Sequence, residues 1–192
     1  GQTTPLDPNA GGPEFAIDGS ALGAMQARRI KMVVTDKGAG VRMRGDMAAN
    51  TGELTLSADG KISIGKASGK GVNVSSGQKV SASRVTSGKT ASLKGTKGVA
   101  VETVGADEGI LIDGGIGFVD ATGMLSSGAG IDIRADGTLQ LQQATAAGSM
   151  TFLSRAGSIS VSDTVTSGAE LSLTASSGSV SGTNLLSKGD IA

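Results

Sequence analysis

A short apolar–polar–apolar triplet returns along this chain at a nearly constant interval. It reads Leu54-Thr55-Leu56, Val72-Asn73-Val74 and Ala91-Ser92-Leu93, then Ile110-Leu111-Ile112, where the middle residue is itself apolar. It continues as Ile131-Asp132-Ile133, Met150-Thr151-Phe152 and Leu171-Ser172-Leu173. The first positions are 18, 19, 19, 21, 19 and 21 residues apart. A glycine follows most triplets: Gly60, Gly77, Gly98, Gly115, Gly137, Gly157 and Gly178. After it comes a second short run, such as Lys61-Ile62-Ser63-Ile64, Val99-Ala100-Val101, Thr138-Leu139-Gln140-Leu141 or Ser158-Ile159-Ser160-Val161. A third apolar position lies further on, at Val85, Val104, Leu125, Val165 or Leu185, and a Gly/Ser turn closes the unit.

Alternation with period two puts Val, Ile and Leu on one face of a short strand and polar residues on the other. Three such strands cannot bury their apolar face alone. Stacked, each unit covers the one beneath it and shares hydrogen bonds along the stack. The repeat therefore predicts an all-β fold, a parallel β-helix (solenoid) with ~19-residue coils. Seven coils at about 4.8 Å each make a rod on the order of 34 Å long. A propeller blade needs roughly 40 residues or more, and a leucine-rich repeat needs a Leu-x-x-Leu-x-Leu run that is missing here.

Composition agrees. The 192 residues include 32 glycines and three phenylalanines, with no Tyr, Trp, His or Cys. Aromatic rings dominate ordinary cores because each buries so much area. A solenoid interior about two side chains across is expected to be too narrow for them. Disordered chains share the glycine bias but lack regularly placed aliphatic residues.

Upstream of the regular coils the pattern loosens. Residues 1–13 hold all three prolines and read as a linker or N-terminal arm. Residues 14–51 read as one or two irregular, longer first coils, with strand alternation at Ile30, Met32 and Val34 and again at Val41 and Met43. The stretch Ala21–Ala27 is rich in helix formers and suggests a short helix or a tight loop. Residues 52–192 form the regular β-helix.

Several motifs in this upstream region resemble the filamentous haemagglutinin family, the large exoproteins of two-partner secretion that include contact-dependent growth-inhibition proteins. They are Phe15-Ala16-Ile17-Asp18-Gly19-Ser20-Ala21-Leu22-Gly23-Ala24-Met25, Arg29-Ile30, Asp36-Lys37-Gly38-Ala39-Gly40-Val41-Arg42 and Gly52-Glu53-Leu54-Thr55-Leu56-Ser57-Ala58-Asp59-Gly60. Residues 15–60 carry the resemblance closely, and the rest of the chain carries it through repeat length. The chain departs from the family pattern at Gln26, where an aromatic is expected, which would loosen one packing contact. The resemblance implies the start of the repeat rod, just after the secretion domain, and a right-handed helix. It also implies an outer-membrane pore partner during secretion and a location at the bacterial cell surface or outside the cell. A cysteine-free chain suits that route, because a disulfide formed beforehand would jam a narrow pore. The chain has no initiator Met or signal peptide and reads as a piece of something longer.

Residues that could carry chemistry are few. Formal net charge is zero, with 17 basic and 17 acidic residues. With no Tyr or Trp to stack on bases, this balance argues against nucleic-acid binding. Asp113, Asp132 and Asp136 fall on neighbouring coils, as a polysaccharide lyase or hydrolase would need, but they read better as solvated outer or turn positions. Gly114-Gly115-Ile116-Gly117-Phe118-Val119-Asp120 is near the calcium-roll nonapeptide, yet its Asp is one place late and the unit does not recur. Gly38-Ala39-Gly40 lacks the third glycine and the βαβ setting of a dinucleotide site. No catalytic residue, metal or cofactor is expected.

Arg44-Gly45-Asp46 is the candidate cell-adhesion tripeptide. Val41, Met43 and Met47 alternate around it, so Arg44 and Asp46 are expected to face outward and Gly45 to make a turn. The expected role is a structural rod segment of a secreted adhesin, with receptors on host or neighbouring cells bound by other parts of the protein. The alternative is the stalk of a contact-dependent toxin-delivery protein. The fragment itself is expected to associate end to end through uncapped coils.

Overall fold

The computed structural model describes residues 14–19 and 23–192, so the arm expected over 1–13 and residues 20–22 lie outside it. Among the described residues every strand pairing is parallel, in two sheets. One sheet has eight strands: Ile30–Val34, Leu54–Ala58, Val72–Ser76, Ala91–Gly95, Ile110–Asp113, Ile131–Ala135, Met150–Ser154 and Leu171–Ala175. The other has eleven. Its longer members include Ile62–Gly69, Lys79–Ser87, Gly98–Ala106, Val119–Ser127, Leu139–Ala146, Ile159–Ser167 and Val180–Ser187.

The sequence interval is the coil. Leu54 lies opposite Val72, Val72 opposite Ala91, and Ala91 opposite Ile110. The ladder continues Ile110 to Ile131 to Met150 to Leu171. The chain is thus a parallel β-solenoid, with Ile30–Val34 beginning a longer coil beneath. The unevenness of the step has a simple origin. A 19-residue coil has six residue steps from Leu93 to Val99 and three from Val101 to Val104. The 21-residue coil above it has seven from Ile112 to Val119 and four from Ala121 to Leu125. Extra residues sit at corners, where they can bulge outward without disturbing the ladder.

In place of the three expected strands per coil, the second and third runs join into one bent strand. The bend shows as a register shift between Val101 and Val104, between Ala121 and Met124, and between Leu141 and Ala144. In the two lowest coils the runs are separate, as Phe15–Asp18 and Met25–Ala27 and, above them, Gly40–Met43 and Met47–Ala49. The helix-or-loop expectation for Ala21–Ala27 is corrected over its described part. Met25–Ala27 is a strand paired in register with Met47–Ala49, so the neighbouring coil overrides local helix propensity. Gln26 is exposed opposite Ala48, so no inward packing contact depends on it.

The core is a set of aliphatic columns, one residue per coil, such as Leu56-Val74-Leu93-Ile112-Ile133. Each fully buried Val, Leu or Ile contributes about 1.5–3 kcal/mol. The expectation that rings find no room fails once. Phe152 is fully buried in its column between Ile133 and Leu173. The other two phenylalanines lie against cations, Phe15 with Arg42 3.9 Å from its ring centre and Phe118 with Lys79 at 5.1 Å.

Serines also enter the interior, at two corners. Ser87, Ser127 and Ser167 are buried, and each hydroxyl donates to the carbonyl three residues on, at Thr90, Gly130 and Glu170. Each also accepts from the amide two residues on. The hydroxyl thus closes the turn that ends the coil. Ser76 and Ser154 bind the carbonyls of Gly60 and Gly137 at the other corner. Glycines stack there too: a Cβ on Gly137 would lie 2.5 Å from the Gly117 carbonyl oxygen below.

Two expectations follow. Phe152→Ala should lower the unfolding free energy by about 3–5 kcal/mol, read from urea denaturation; a loss below about 1 kcal/mol would mean the column collapses freely around the gap. At the upper end, Val180–Ser187 and its flanks are largely exposed. Ser179 accepts from the Ile159 amide below, so Val180 directs its own N–H upward, away from the stack. The 192-residue polypeptide should therefore associate end to end as its concentration rises, and Val180→Pro should suppress this in sedimentation velocity.

Candidate functional site

Arg44, Gly45 and Asp46 form the corner between Gly40–Met43 and Met47–Ala49. As the alternation requires, Val41, Met43 and Met47 are buried, while Arg44 and Asp46 are exposed. The backbone of the corner is held from both sides. Met25 donates its amide to the Asp46 carbonyl at 2.7 Å from the coil below. Above, Gly65 stacks so tightly that a Cβ there would lie 2.5 Å from the Arg44 carbonyl oxygen. The Asp46 carboxylate sits 3.7 Å from the Lys66 ammonium, with both side chains more than half exposed. Such a pair stabilises by at most about 1 kcal/mol. The tripeptide is therefore a corner of the rod wall with two solvated side chains. Three-residue corners recur at Thr122-Gly123-Met124 and Ser162-Asp163-Thr164, in the coils that are longest above it.

The acidic residues weighed for catalysis do not converge. Asp113 accepts from the Gly115 amide at 2.8 Å, closing its own turn. Asp132 pairs with Arg134 at 3.1 Å and Asp136 with Arg155 at 2.7 Å. In the calcium-roll-like stretch, Gly115 has φ +57, and a side chain there would strike the backbone of Thr96 below. Asp120 stands apart from that turn on the wall, between Ala100 and Gln140. Among the described residues no group of three or more His, Cys, Asp or Glu could hold a metal ion. Gly40 lies against the Lys61 carbonyl, which accounts for a glycine there without a nucleotide.

Sequence reasoning missed one feature. The bend in the long strands leaves a shallow groove along the outside of the rod, in two adjoining depressions of about 240 and 330 Å³ that share Asp120 and Thr122. Its lining is mixed, with the exposed Ser83, Glu102, Gln140 and Ser160 beside buried Val101 and Leu141. The signal was present in the spacing. Ala82 and Val85, like Val101 and Val104, are three residues apart and yet both buried, which a straight strand of period two forbids.

With a parallel solenoid and a wall of solvated corners established, likeness to known proteins becomes informative. The chain is 46% identical over 59 residues to the tRNA nuclease CdiA-2 of Burkholderia pseudomallei, a match covering 31% of this chain and 2% of that protein. It is 38% identical over 68 residues to the tRNA nuclease CdiA of Escherichia coli strain NC101, covering 35% and 2%. It is 38% identical over 69 residues to the Filamentous hemagglutinin of Bordetella pertussis, covering 34% and 2%. About a third of the segment is thus similar to CdiA and filamentous haemagglutinin proteins. No family model matches the chain, and no solved structure does. The matched stretch is 2% of each of these relatives, so the nuclease in two of their names describes proteins far larger than this rod.

The corner geometry predicts an order of effects at Arg44-Gly45-Asp46. Gly65→Ala should destabilise the rod by about 1–3 kcal/mol, because backbone must move to admit the methyl group. Asp46→Ala should cost less than about 1 kcal/mol, because only a solvated ion pair is lost. Thermal melts of the two variants rank them, and the reverse order would mean that the corner is a free loop.

Proposed function

We propose that this chain is a structural rod segment of a large secreted bacterial surface adhesin, projecting binding modules away from the cell. The observation that carries this reading is the unbroken parallel ladder from Ile30 to Leu171, which makes the segment a stiff spacer. Similarity to a filamentous haemagglutinin supports it. In this reading the parent protein leaves the cell through an outer-membrane pore partner as an extended chain and folds outside. Each coil then templates the next. Receptors on host or neighbouring cells are bound by other parts of the protein.

A second reading is favoured by the CdiA matches: the same rod as the stalk of a contact-dependent toxin-delivery protein. The rod's mechanical role is unchanged. The C-terminal region of the parent protein separates the two. Expressed inside a cell lacking any protective partner, a toxin tail should arrest growth, whereas an adhesin tail should leave it unchanged.

Arg44-Gly45-Asp46 belongs to the scaffold in either case. Asp46→Glu keeps the charge and lengthens the side chain, so cell attachment by the parent protein should persist unchanged. Loss of attachment with intact folding would make the tripeptide an adhesive site.

A further inference from the structure

The zero net charge conceals a division along the rod axis. Residues 14–97 hold 14 basic and 6 acidic residues, a net of +8. Residues 98–192 hold 3 basic and 10 acidic residues, a net of −7. Because the chain climbs coil by coil, this is a spatial division into a basic lower half and an acidic upper half. Like charges are stacked within the lower half. Lys66 is paired with Asp46 on the coil below and stands in register with Arg84 on the coil above, so this column carries more positive than negative charge.

One corner carries both signs in an order that can pair with itself. It is the corner where each coil ends and the next triplet begins. Reading up the stack, it presents Arg28 and Arg29, then residues 50–53 with the acidic Glu53, then Lys70 and Lys89. One coil higher it presents Asp107 and Glu108, with the Glu108 amide bonded to the Lys89 carbonyl. Higher still, the coils at Gly130 and Ser149 are neutral, Glu170 restores the negative sign, and the top coil carries both Lys188 and Asp190. The side chains of Lys89, Asp107 and Glu108 are exposed, and none makes an ion pair among the described residues. Leu111 lies beside this change of sign and is 44% exposed, next to Gly109 and Gly130, which project nothing.

We propose that two copies of this rod associate side by side and antiparallel along this corner, about a two-fold axis between the coils of Lys89 and Glu108. A two-fold contact uses the same patch on both partners, so the patch must be complementary to its own inverted copy. Inversion about this axis sets Lys89 against the partner's acidic pair at Asp107 and Glu108, and Arg28 and Arg29 against its Glu170. The exposed Leu111 of each copy falls near the axis. A flexible polyanion would neutralise the basic half but leave the acidic half unmatched. A second copy answers both halves at once, which is why it is favoured.

The test uses the Val180→Pro background, which removes end-to-end growth, and sedimentation equilibrium at low and physiological salt. The expected behaviour is a monomer–dimer equilibrium that stops at two and weakens as salt screens it. Lys89→Glu alone and Glu108→Lys alone should each weaken dimerisation by about tenfold or more. Mixing those two variants in equal amounts should restore a dimer, because each then offers the sign the other lacks. Unchanged circular dichroism and urea midpoints keep the single variants interpretable. Three outcomes overturn the proposal: a monomer at all concentrations, a dimer indifferent to either charge reversal, or a mixture that stays monomeric. Binding of dextran sulfate by a chain that remains monomeric would likewise overturn it and assign the basic coils to a polyanion.

Discussion

Everything in this rod depends on one constraint: the backbone of each coil finds its hydrogen-bond partners in the coils above and below. In a globular sheet a strand can slip or end where packing allows. Here a slip of one residue would turn every inward side chain outward on one wall and leave amides unpaired along the whole coil. Register is therefore held from Ile30 to Leu171 while the chain between registered positions varies in length. The steps of 18 to 21 residues are the visible result. Walls are invariant in length and corners take up the difference.

The same constraint decides what stands at a corner. Coils rise by only about 4.8 Å, so corner backbones nearly touch the corner below. Glycines are placed where that approach is closest, as at Gly65 over Arg44 and Gly137 over Gly117. Where a turn draws its carbonyls away from the ladder, a serine hydroxyl reaches inward to satisfy them, and among the described residues no buried side-chain polar atom lacks a partner. The Gly- and Ser-rich composition that resembles disorder is thus the composition of tight stacked corners.

Much of this was legible because inward positions recur at the coil interval. The triplets and the third apolar positions fall where the alternation puts them, and the solenoid follows from them. Three things were harder to read. The bend between the second and third runs shows only as an odd spacing between buried residues. Met25–Ala27 becomes a strand because Met47–Ala49 lies beside it, information that no local propensity holds. Phe152 fits a core whose width had been judged from the rarity of rings, although rarity limits how often a ring fits and not whether one does. For the candidate site, the alternation is enough to turn Arg44 and Asp46 outward around Gly45, but how tightly the neighbouring coils hold that turn, through Met25 below and Gly65 above, is not in the local sequence. Charge was misjudged for a different reason: a count over the whole chain cancels two halves of opposite sign.

That last error points to how surfaces of this kind encode interactions. Inside, each coil must match its neighbours, so the inward columns vary little. Outside, nothing in the ladder restricts the residue. One outward column reads Thr55, Asn73, Ser92, Leu111, Asp132, Thr151 and Ser172. Residues that share a surface here are about a coil apart in sequence and one rise apart in space. The neighbours of Asp46 are Met25 below and Lys66 above as much as Gly45 beside it. A motif read along the chain, such as Arg44-Gly45-Asp46, is therefore a poor unit of recognition in this fold. A column read up the stack, such as Lys70, Lys89, Glu108 and Glu170, is the unit that a partner lying along the rod would meet.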